Sequence, residues 1–279
     1  MKAIDSVSLA WRIRRRALDM TSVAHASHIA PMLSAADILA VLYGGAARLN
    51  PLDPKDPGRD RVILSKGHAC AAAYAALAET GFFDPSLLAS FCADGGVLSG
   101  HASHRVPGVE FSTGSLGHGL PAGAGMALTA KRDGLTHRVF VVCGDGECDE
   151  GSVWEAALIA AHHALSNLVA VIDHNKMQGL GYCENTVRLQ PFRKKWEAFG
   201  WRALEAGGHD HAALKAAFAS PSDGRPTAVI AHTVKGKGVS FMENNILWHY
   251  RDPQGEDYYA ALRELEEAAP ALKKGGSAL

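Results

Sequence analysis

Two short apolar runs joined by a helical stretch constrain the fold of this chain more than any other feature. The first run, 138–143, leads into a Gly-Asp-Gly turn at 144–146, and the second run, 168–173, ends just before Asn175. The Ala-rich stretch 150–165 between them has helical spacing. Two strands joined by a helix over so few residues form a β-α-β unit, in which the strands are parallel and the crossover is right-handed.

Parallel strands bring Asp145 and Asn175 to one edge of the sheet, where open α/β folds bind ligands. A carboxylate oxygen and an amide oxygen are hard ligands that suit Mg2+ or Ca2+. Gly144 and Gly146 let the backbone approach a bulky anion, and the N-terminus of the following helix favours negative charge. The residues therefore predict a divalent metal that holds a diphosphate. The alternative for the tripeptide alone is an ordinary strand-to-turn connection.

The rest of the chain continues the alternation of strands and helices. Further strands are predicted over 61–65, 201–205 and 227–233, and further helices over 6–30, 35–43 (with Ser34 as N-cap), 69–80, 120–132, 191–199 and 210–219. The stretch 95–119 is dense in turn residues, and an irregular stretch of that length is usually functional. This order predicts an α/β fold, a parallel sheet with helices on both faces, in a single domain over 1–272 with a disordered tail at 273–279.

Composition argues against several classes of protein. The net charge is −1 and the pI is near 6.9, so no overall electrostatic attraction draws the chain to nucleic acid or to an anionic membrane. The 5 cysteines form no Cys-x-x-Cys pair and no zinc spacing, which fits a reducing cytosol. No apolar run approaches a membrane-spanning length of about 18 residues, and the N-terminus lacks the apolar core of a signal peptide. We therefore expect a cytoplasmic protein without a membrane segment.

Five segments, in order along the chain, carry a resemblance to a known family. They are Ser65-Lys66-Gly67-His68-Ala69, Ser99-Gly100-His101, Thr-Gly-Ser-Leu-Gly-His-Gly at 113–119, the Gly-Asp-Gly turn with its downstream Asn-Lys, and Lys-Gly-Lys-Gly-Val-Ser-Phe-Met-Glu-Asn-Asn at 235–245. Each is weak alone, but together they resemble the thiamine diphosphate enzymes of the transketolase family over most of the chain. The resemblance implies the pyrophosphate-binding domain of the thiamine diphosphate fold, with thiamine diphosphate and Mg2+ or Ca2+ as cofactors.

By this resemblance, three histidines contact the sugar substrate or the cofactor and aid proton transfer: His68, His101 and His249. A neutral imidazole suits this task because one ring nitrogen donates a hydrogen bond while the other accepts one. Without the resemblance, each would more readily be an ordinary surface or core histidine. The family commonly has proline after the second of them, where this chain has Ala102, so we expect the backbone there to be less restricted.

The resemblance also implies the residues that hold the cofactor and its metal. The metal ligands are Asp145, Asn175 and the carbonyl group of Met177. The cofactor-binding residues are Ser115, Leu116, Gly117, Gly144, Asp145, Gly146, Glu147, Glu150 and Asn175. The segment 115–117 resembles a loop under the thiazolium ring and the diphosphate, and the alternative is a plain helix-entry turn. Glu150 and Glu155 match family glutamates at a contact between protomers, and the alternative is helix N-terminal charge.

The resemblance leaves one part of the reaction without a residue. Thiamine diphosphate is activated by a glutamate that transketolases carry in a pyrimidine-binding half. The sequence after Arg251 is too short to encode another α/β domain of about 100 or more residues. The chain therefore resembles the N-terminal, pyrophosphate-binding subunit of a split transketolase. The expected partner is a second chain with the pyrimidine-binding and C-terminal domains, in an α2β2 assembly.

The reaction expected from the resemblance moves a two-carbon ketol unit from a ketose phosphate to an aldose, so sugar phosphates are the expected substrates. Two alternatives stay open at this point. One is the α subunit of a 2-oxoacid decarboxylating complex, which shares the Gly-Asp-Gly and asparagine pair. The other is a non-catalytic regulatory protein that binds a diphosphate.

Overall fold

The centre of the structure, a computed structural model that describes residues 5–270, is a parallel sheet of five strands. The predicted tail, 273–279, lies outside the described residues. The strands in chain order are β1 (Arg61–Leu64), β2 (Val139–Gly144), β3 (Leu168–His174), β4 (Met177–Gln178), β5 (Gly181–Tyr182), β6 (Arg202–Gly207) and β7 (Thr227–His232). The sheet has the order β1-β2-β3-β7-β6 with every neighbouring pair parallel, while β4 and β5 form a separate antiparallel hairpin.

Helices cover both faces of this sheet. They are α1 (Ser6–Val23), α2 (Ile29–Val41), α3 (Cys70–Glu79), α4 (Gly119–Arg132), α5 (Gly151–His162), α6 (Cys183–Thr186), α7 (Phe192–Ala198), α8 (His211–Ala219) and α9 (Gly255–Glu267). Alternate residues of β2 face opposite sides: Phe140 and Val142 pack in the cluster with α1, α2 and α3, whereas Val139 and Val141 pack in the cluster with α4 and α5. Strands buried on both faces read as continuous apolar runs, and the predicted α/β fold is confirmed.

The prediction for the first two helices was wrong in its boundaries. The expected break before Pro31 does not occur: α1 ends at Val23, and α2 begins at Ile29 and contains Pro31 in its first turn. Proline is tolerated there because the first N–H groups of a helix have no partner within the helix. Ser34 is consequently a buried residue inside α2 and not its N-cap.

The length of this second helical segment also corrects an expectation. By length and composition, Ile29–Ala46 is apolar enough to cross a membrane, although no run of that length was expected. Most of the segment is buried inside the protein, and all of α2 belongs to the buried part. A core helix passes the same compositional test, so this segment is explained by its place in the fold.

Two further elements differ from the prediction. A short 3-10 turn, Gly146–Asp149, separates the Gly-Asp-Gly turn from α5, so the N-terminus of α5 does not follow that turn directly. The helix α9 was not predicted at all. It packs against α1, where the indole nitrogen of Trp11 donates a hydrogen bond to the carbonyl oxygen of Leu265 at 2.7 Å.

Candidate active site

A cleft of about 380 Å³ opens at the carboxyl edge of the sheet. The segments that follow β1, β2, β3 and β7 all reach it, because parallel strands end on the same side. The lining residues are His28, Pro31, Lys66, His68, His101, Gly114, Leu116, Gly144, Asp145, Gly146, Glu147, Asn175, Met177, Gln178, Gly179, Leu180, Lys235, His249 and Tyr250. The cleft therefore contains all the predicted metal ligands and all three predicted catalytic histidines.

Asp145 lies at the base of the cleft with 1% of its surface exposed. Its Oδ1 accepts a hydrogen bond from the backbone N–H of Gly146 at 2.8 Å. Its Oδ2 accepts one from the backbone N–H of Lys176 at 2.5 Å and lies 3.0 Å from Nδ1 of His174. These contacts fix the carboxylate in one orientation, and Oδ1, which accepts a single hydrogen bond, keeps a lone pair for a further ligand.

The other two predicted metal ligands lie close by on the segment after β3. Oδ1 of Asn175 accepts a hydrogen bond from the N–H of Met177 at 3.0 Å, and the carbonyl oxygen of Met177 accepts one from Nζ of Lys235 at 3.3 Å. Nζ of Lys235 therefore already contacts one of the three predicted ligand oxygens, the carbonyl oxygen of Met177. A carboxylate, an amide and a carbonyl oxygen fit a hard divalent ion that shares its shell with phosphate oxygens.

No cluster of three or more His, Cys, Asp or Glu side chains that could hold a metal is present within residues 5–270. This agrees with the predicted ligand set, in which only Asp145 carries a charge. The remaining charge of a divalent ion would have to be met by the diphosphate. The assignment of Asp145, Asn175 and Met177 as ligands stays a prediction that their convergence supports.

Glu147 supports the loop predicted to hold the cofactor. One of its oxygens accepts hydrogen bonds from the Ser65 hydroxyl and, at 2.9 Å, from the N–H of Gly117. The other accepts one from the N–H of Gly144 at 2.9 Å. Burial raises the pKa of this carboxyl group, opposed by these hydrogen bonds and by the charge of Lys66. Glu147 thus joins the 115–117 loop to the end of β2 with its acceptor oxygens already engaged.

Three of the predicted cofactor-binding residues do not line the cleft. They are Ser115, Gly117 and Glu150, whereas Leu116 between the first two does line it. Gly117 has a φ of 81°, and a Cβ atom there would lie 2.5 Å from Oγ of Ser152 and 2.7 Å from Cβ of Glu150. Only glycine fits this contact, so Gly117 packs the loop on the start of α5 and presents Leu116 to the cleft.

The predicted catalytic histidines gather around a fourth, His28. The ring centroid of His28 lies 5.2 Å from those of His68 and His249 and 6.3 Å from that of His101. The rings of His68 and His249 are 5.7 Å apart. The sequence pattern did not reveal His28 because no glycine or proline marks residues 24–28, so they were assigned to a continuous helix. Its only signal was its position shortly before Pro31.

The cleft keeps the rings of His28, His68 and His249 neutral near pH 7. Burial lowers the pKa of His28 to about 4 and that of His249 to about 3, helped by the positive charges of Lys235 and Lys66. Burial and the charge of Lys66 also lower the pKa of His68 well below its ordinary value. A neutral imidazole can donate through one nitrogen and accept through the other, which is what the predicted proton transfers need.

Lys235 fixes the tautomer of His249. Its Nζ lies 2.8 Å from Nδ1 of His249 as well as contacting the carbonyl oxygen of Met177. Burial, with the charge of Lys66, lowers the pKa of Lys235 to about 8, so the group is mostly an ammonium at pH 7. An ammonium group only donates. Nδ1 of His249 is therefore the acceptor, and Nε2 carries the hydrogen.

Hydrogen bonds hold the backbone at Ala102, the residue that stands where the family commonly has proline. The N–H of Ala102 donates a hydrogen bond to the carbonyl oxygen of Gly67 at 3.3 Å, a bond that proline cannot make. The carbonyl oxygen of Ala102 accepts one from the N–H of Thr113 at 3.0 Å, and the hydroxyl group of Tyr74 donates one to the carbonyl oxygen of His101 at 2.8 Å. These bonds tie the His101 segment directly to the His68 segment.

Comparison with known proteins gives a consistent picture. Residues 6–268 match the family described as "Transketolase, thiamine diphosphate binding domain". The chain is 41% identical over 263 residues to one subunit of the apulose-4-phosphate transketolase of Phocaeicola vulgatus, covering 94% of each chain. It is 39% identical over 267 residues to the 6-deoxy-6-sulfo-D-fructose transketolase subunit SqwG of a Clostridium species, covering 95% of this chain and 97% of that one.

The fold is likewise that of solved transketolases. The transketolase of Campylobacter jejuni superposes with a TM-score of 0.87 at 28% identity, over 95% of this chain and 43% of that one. The chain thus spans less than half the length of this solved relative. These findings confirm the predicted resemblance, cofactor and type of enzyme, and they favour transketolase over the 2-oxoacid and regulatory alternatives. The chain belongs to the transketolase family and carries its thiamine diphosphate binding domain.

Proposed function

We propose that this chain is the pyrophosphate-binding subunit of a two-component transketolase that moves a two-carbon ketol unit from a ketose phosphate to an aldose acceptor. The observation that carries the proposal is the convergence of Asp145, Asn175 and the Met177 carbonyl group with a cluster of neutral imidazoles in one cleft. When bound, thiamine diphosphate supplies the reactive carbon for ketol transfer, and a divalent ion holds its diphosphate.

The residues of this chain bind the cofactor and steer the sugar. Asp145, Asn175 and Met177 hold the metal, and Leu116 makes apolar contact with the cofactor. Nε2 of His249 donates a hydrogen bond to a sugar oxygen, because Lys235 occupies its Nδ1. The imidazole rings are half-buried in the cleft. A sugar hydroxyl group bound there exchanges its proton more readily with an imidazole than with water.

The rings of His28 and His68 lie beside that of His249 in the same cluster. The backbone N–H of His28 donates a hydrogen bond to the carbonyl oxygen of His249 at 3.1 Å, which holds the start of α2 against the His249 segment. Their neutral rings accept and return protons of the substrate hydroxyl groups. His101 lies at the exposed side of the cluster and contacts the sugar farther from the buried base.

The partner in this proposal is a second chain with the pyrimidine-binding and C-terminal domains, assembled as α2β2. Two relatives that match this chain over more than nine-tenths of their own length are themselves named as subunits of transketolases. Their names point to apulose 4-phosphate and to 6-deoxy-6-sulfo-D-fructose as their own substrates. For this chain we infer the wider class, ketose phosphates or equally anionic ketoses.

Reconstitution tests the proposal directly. The purified chain is mixed with the candidate second chain, thiamine diphosphate and Mg2+, and ketol transfer from a set of ketose phosphates to aldoses is measured by mass spectrometry. We expect turnover only when both chains are present, in a complex with the mass of two copies of each. Steady turnover by the rigorously purified chain alone would contradict the two-component proposal. Absence of transfer by the assembled pair with every donor would contradict the reaction.

A further inference from the structure

The cleft changes from buried at its base to exposed at its mouth. Asp145 and Asn175 are 1% and 5% exposed. The rings of His28, His68 and His249 are half-buried. Tyr250, which also lines the cleft, is 60% exposed. From the buried base to the exposed mouth, the cleft thus presents first the predicted metal ligands, then the imidazoles and then Tyr250.

The side chain of Tyr250 is fixed where it stands. Its hydroxyl group donates a hydrogen bond to the carbonyl oxygen of Gly179 at 3.1 Å, and its ring centroid lies 4.7 Å from that of His249. Its backbone N–H donates to the carbonyl oxygen of Leu247 at 3.2 Å, at the end of the 3-10 helix Ile246–His249. An aromatic ring held at both ends does not swing aside without losing these contacts.

Gly179 makes this contact possible. It lies in the two-residue turn between β4 and β5, shortly after Met177, whose carbonyl group is a predicted metal ligand. A Cβ atom on Gly179 would collide with the Tyr250 hydroxyl group and lie 3.5 Å from Nε2 of His249. The absence of a side chain therefore lets the ring bridge from the His249 segment to the hairpin, which closes one side of the cleft mouth.

We propose that Tyr250 is a specificity-determining residue, whose ring forms a wall of the cleft mouth and favours short ketose phosphates over longer ones. This inference rests on the proposed ketol transfer and extends it to the choice of donor. The flat ring packs against the carbon-bound hydrogens of a sugar chain that ends at the mouth. A longer sugar meets the ring edge and must displace it from Gly179 and His249.

The test uses the assembled two-chain enzyme with five-carbon and seven-carbon ketose phosphate donors. For Tyr250→Ala we expect the ratio of kcat/KM for the seven-carbon donor to kcat/KM for the five-carbon donor to rise about tenfold, mainly through KM. Tyr250→Phe keeps the ring and loses only its hydroxyl group, so its ratio should change less. Tyr259→Ala, at a 55% exposed tyrosine that does not line the cleft, is the matched control and should leave the ratio unchanged.

Calorimetric titration of thiamine diphosphate and the mass of the complex accompany the kinetics. We expect both the affinity for thiamine diphosphate and the mass of the complex to be unchanged in the Tyr250 variants. An unchanged donor ratio in Tyr250→Ala overturns the inference, as does weaker cofactor binding, which would assign the residue to the cofactor site. Weaker assembly would assign Tyr250 to the chain interface instead and also overturns it. Transfer by the wild-type pair with an unchanged variant ratio overturns the inference alone, whereas no wild-type transfer overturns the proposed function as well.

Discussion

The ammonium group of Lys66 lies 2.5 Å from Oδ2 of Asp173, and the two side chains are 2% and 0% exposed. Asp173 also accepts hydrogen bonds from the hydroxyl groups of Ser34, at 2.6 Å, and of Thr233. Burial by itself would raise the pKa of Asp173, but the charge of Lys66 and these hydrogen bonds lower it overall. This ion pair joins the ends of β1 and β3 to α2 directly beneath the cleft.

Removal of one partner of this pair should destabilise the protein strongly. Lys66→Met leaves the Asp173 carboxylate buried without its cation, so we expect the free energy of unfolding to fall by about 3–5 kcal/mol. Urea denaturation at pH 7 measures this. Arg193→Met removes an ion pair with Glu197 on the surface of α7, at 2.8 Å, and is expected to change the value by at most about 0.5 kcal/mol. If Lys66→Met lowers the free energy of unfolding by less than about 1 kcal/mol, the Lys66–Asp173 ion pair does not stabilise the fold as proposed.

The sequence was most informative where an element is buried, because burial requires a recognisable pattern of apolar residues. Strands such as β2 and β3 are buried on both faces, so they stood out as apolar runs with close to correct ends. The helix boundaries near Pro31 were wrong, because the chain reverses at residues 24–28 without a glycine or proline. His28 enters α2 from a left-handed conformation, with a φ of 75°, that its sequence does not signal.

The sequence motifs of the site were predictable, but the tertiary contacts that hold the site residues in place were not. Asp145, Asn175 and His249 lie in segments with recognisable patterns, and the fold places them in one cleft. The role of Glu147 depends on which way its carboxylate turns, and that direction is set by Gly117, 30 residues away along the chain. Tyr250 and Gly179 are likewise far apart in sequence. Such contacts arise from tertiary packing, which a single sequence does not encode locally.

Alanine variants should separate the catalytic histidines from ordinary ones. We expect His28→Ala, His68→Ala and His249→Ala to lower turnover of the assembled enzyme by about tenfold or more, because each removes a neutral proton-transfer group. Their melting temperatures should stay within a few degrees, since the rings border an open cleft. The control is His163→Ala. His163 lies at the end of α5, away from the ring cluster, so this variant should keep full turnover.

Steady-state turnover and thermal unfolding are measured on the same samples, so that a loss of catalysis can be told apart from a loss of folded protein. Full activity of His68→Ala, or a loss that follows unfolding alone, would remove His68 from the proposed catalytic group. His101→Ala is expected to have the smallest effect among the four, because its ring is the farthest from His28 and is exposed. A larger loss for His101→Ala than for His68→Ala would reverse the proposed order of the ring cluster.

Cofactor binding should depend on a divalent ion and on Asp145. Without a bridging cation, the Asp145 carboxylate would only repel a diphosphate. We therefore expect Asp145→Ala, or addition of a chelator to the wild type, to abolish calorimetric binding of thiamine diphosphate to the assembled complex. Asp133→Ala, which alters an exposed carboxylate at the end of α4, should bind as the wild type does. Equal affinity with and without chelator would contradict the assigned metal site.

A second buried charge cluster lies away from the cleft, around Asp37 in α2. Arg14 contacts Asp37 at 2.5 Å, Nδ1 of His209 lies 2.6 Å from its Oδ2, and Nε2 of His211 lies 2.9 Å from its Oδ1. Burial would raise the pKa of Asp37, but the hydrogen bonds from both histidines and the charge of Arg14 hold it well below its ordinary range. The native state therefore favours the ionised carboxylate far more than the unfolded chain does.

This difference predicts how stability changes in acid. The unfolded carboxyl group has a pKa near 3.8 and the folded one a lower value, so the contribution of Asp37 is complete above about pH 5 and is lost as the pH falls below about 4. We expect Asp37→Asn to be less stable than wild type by about 3 kcal/mol or more at pH 7, with the gap narrowing towards pH 2. Urea denaturation at stepped pH measures both, and Asp133→Asn, at an exposed site, should run parallel to wild type throughout. A gap of constant size from pH 7 to pH 2 would show that Asp37 contributes through its shape and hydrogen bonds, and not through its charge.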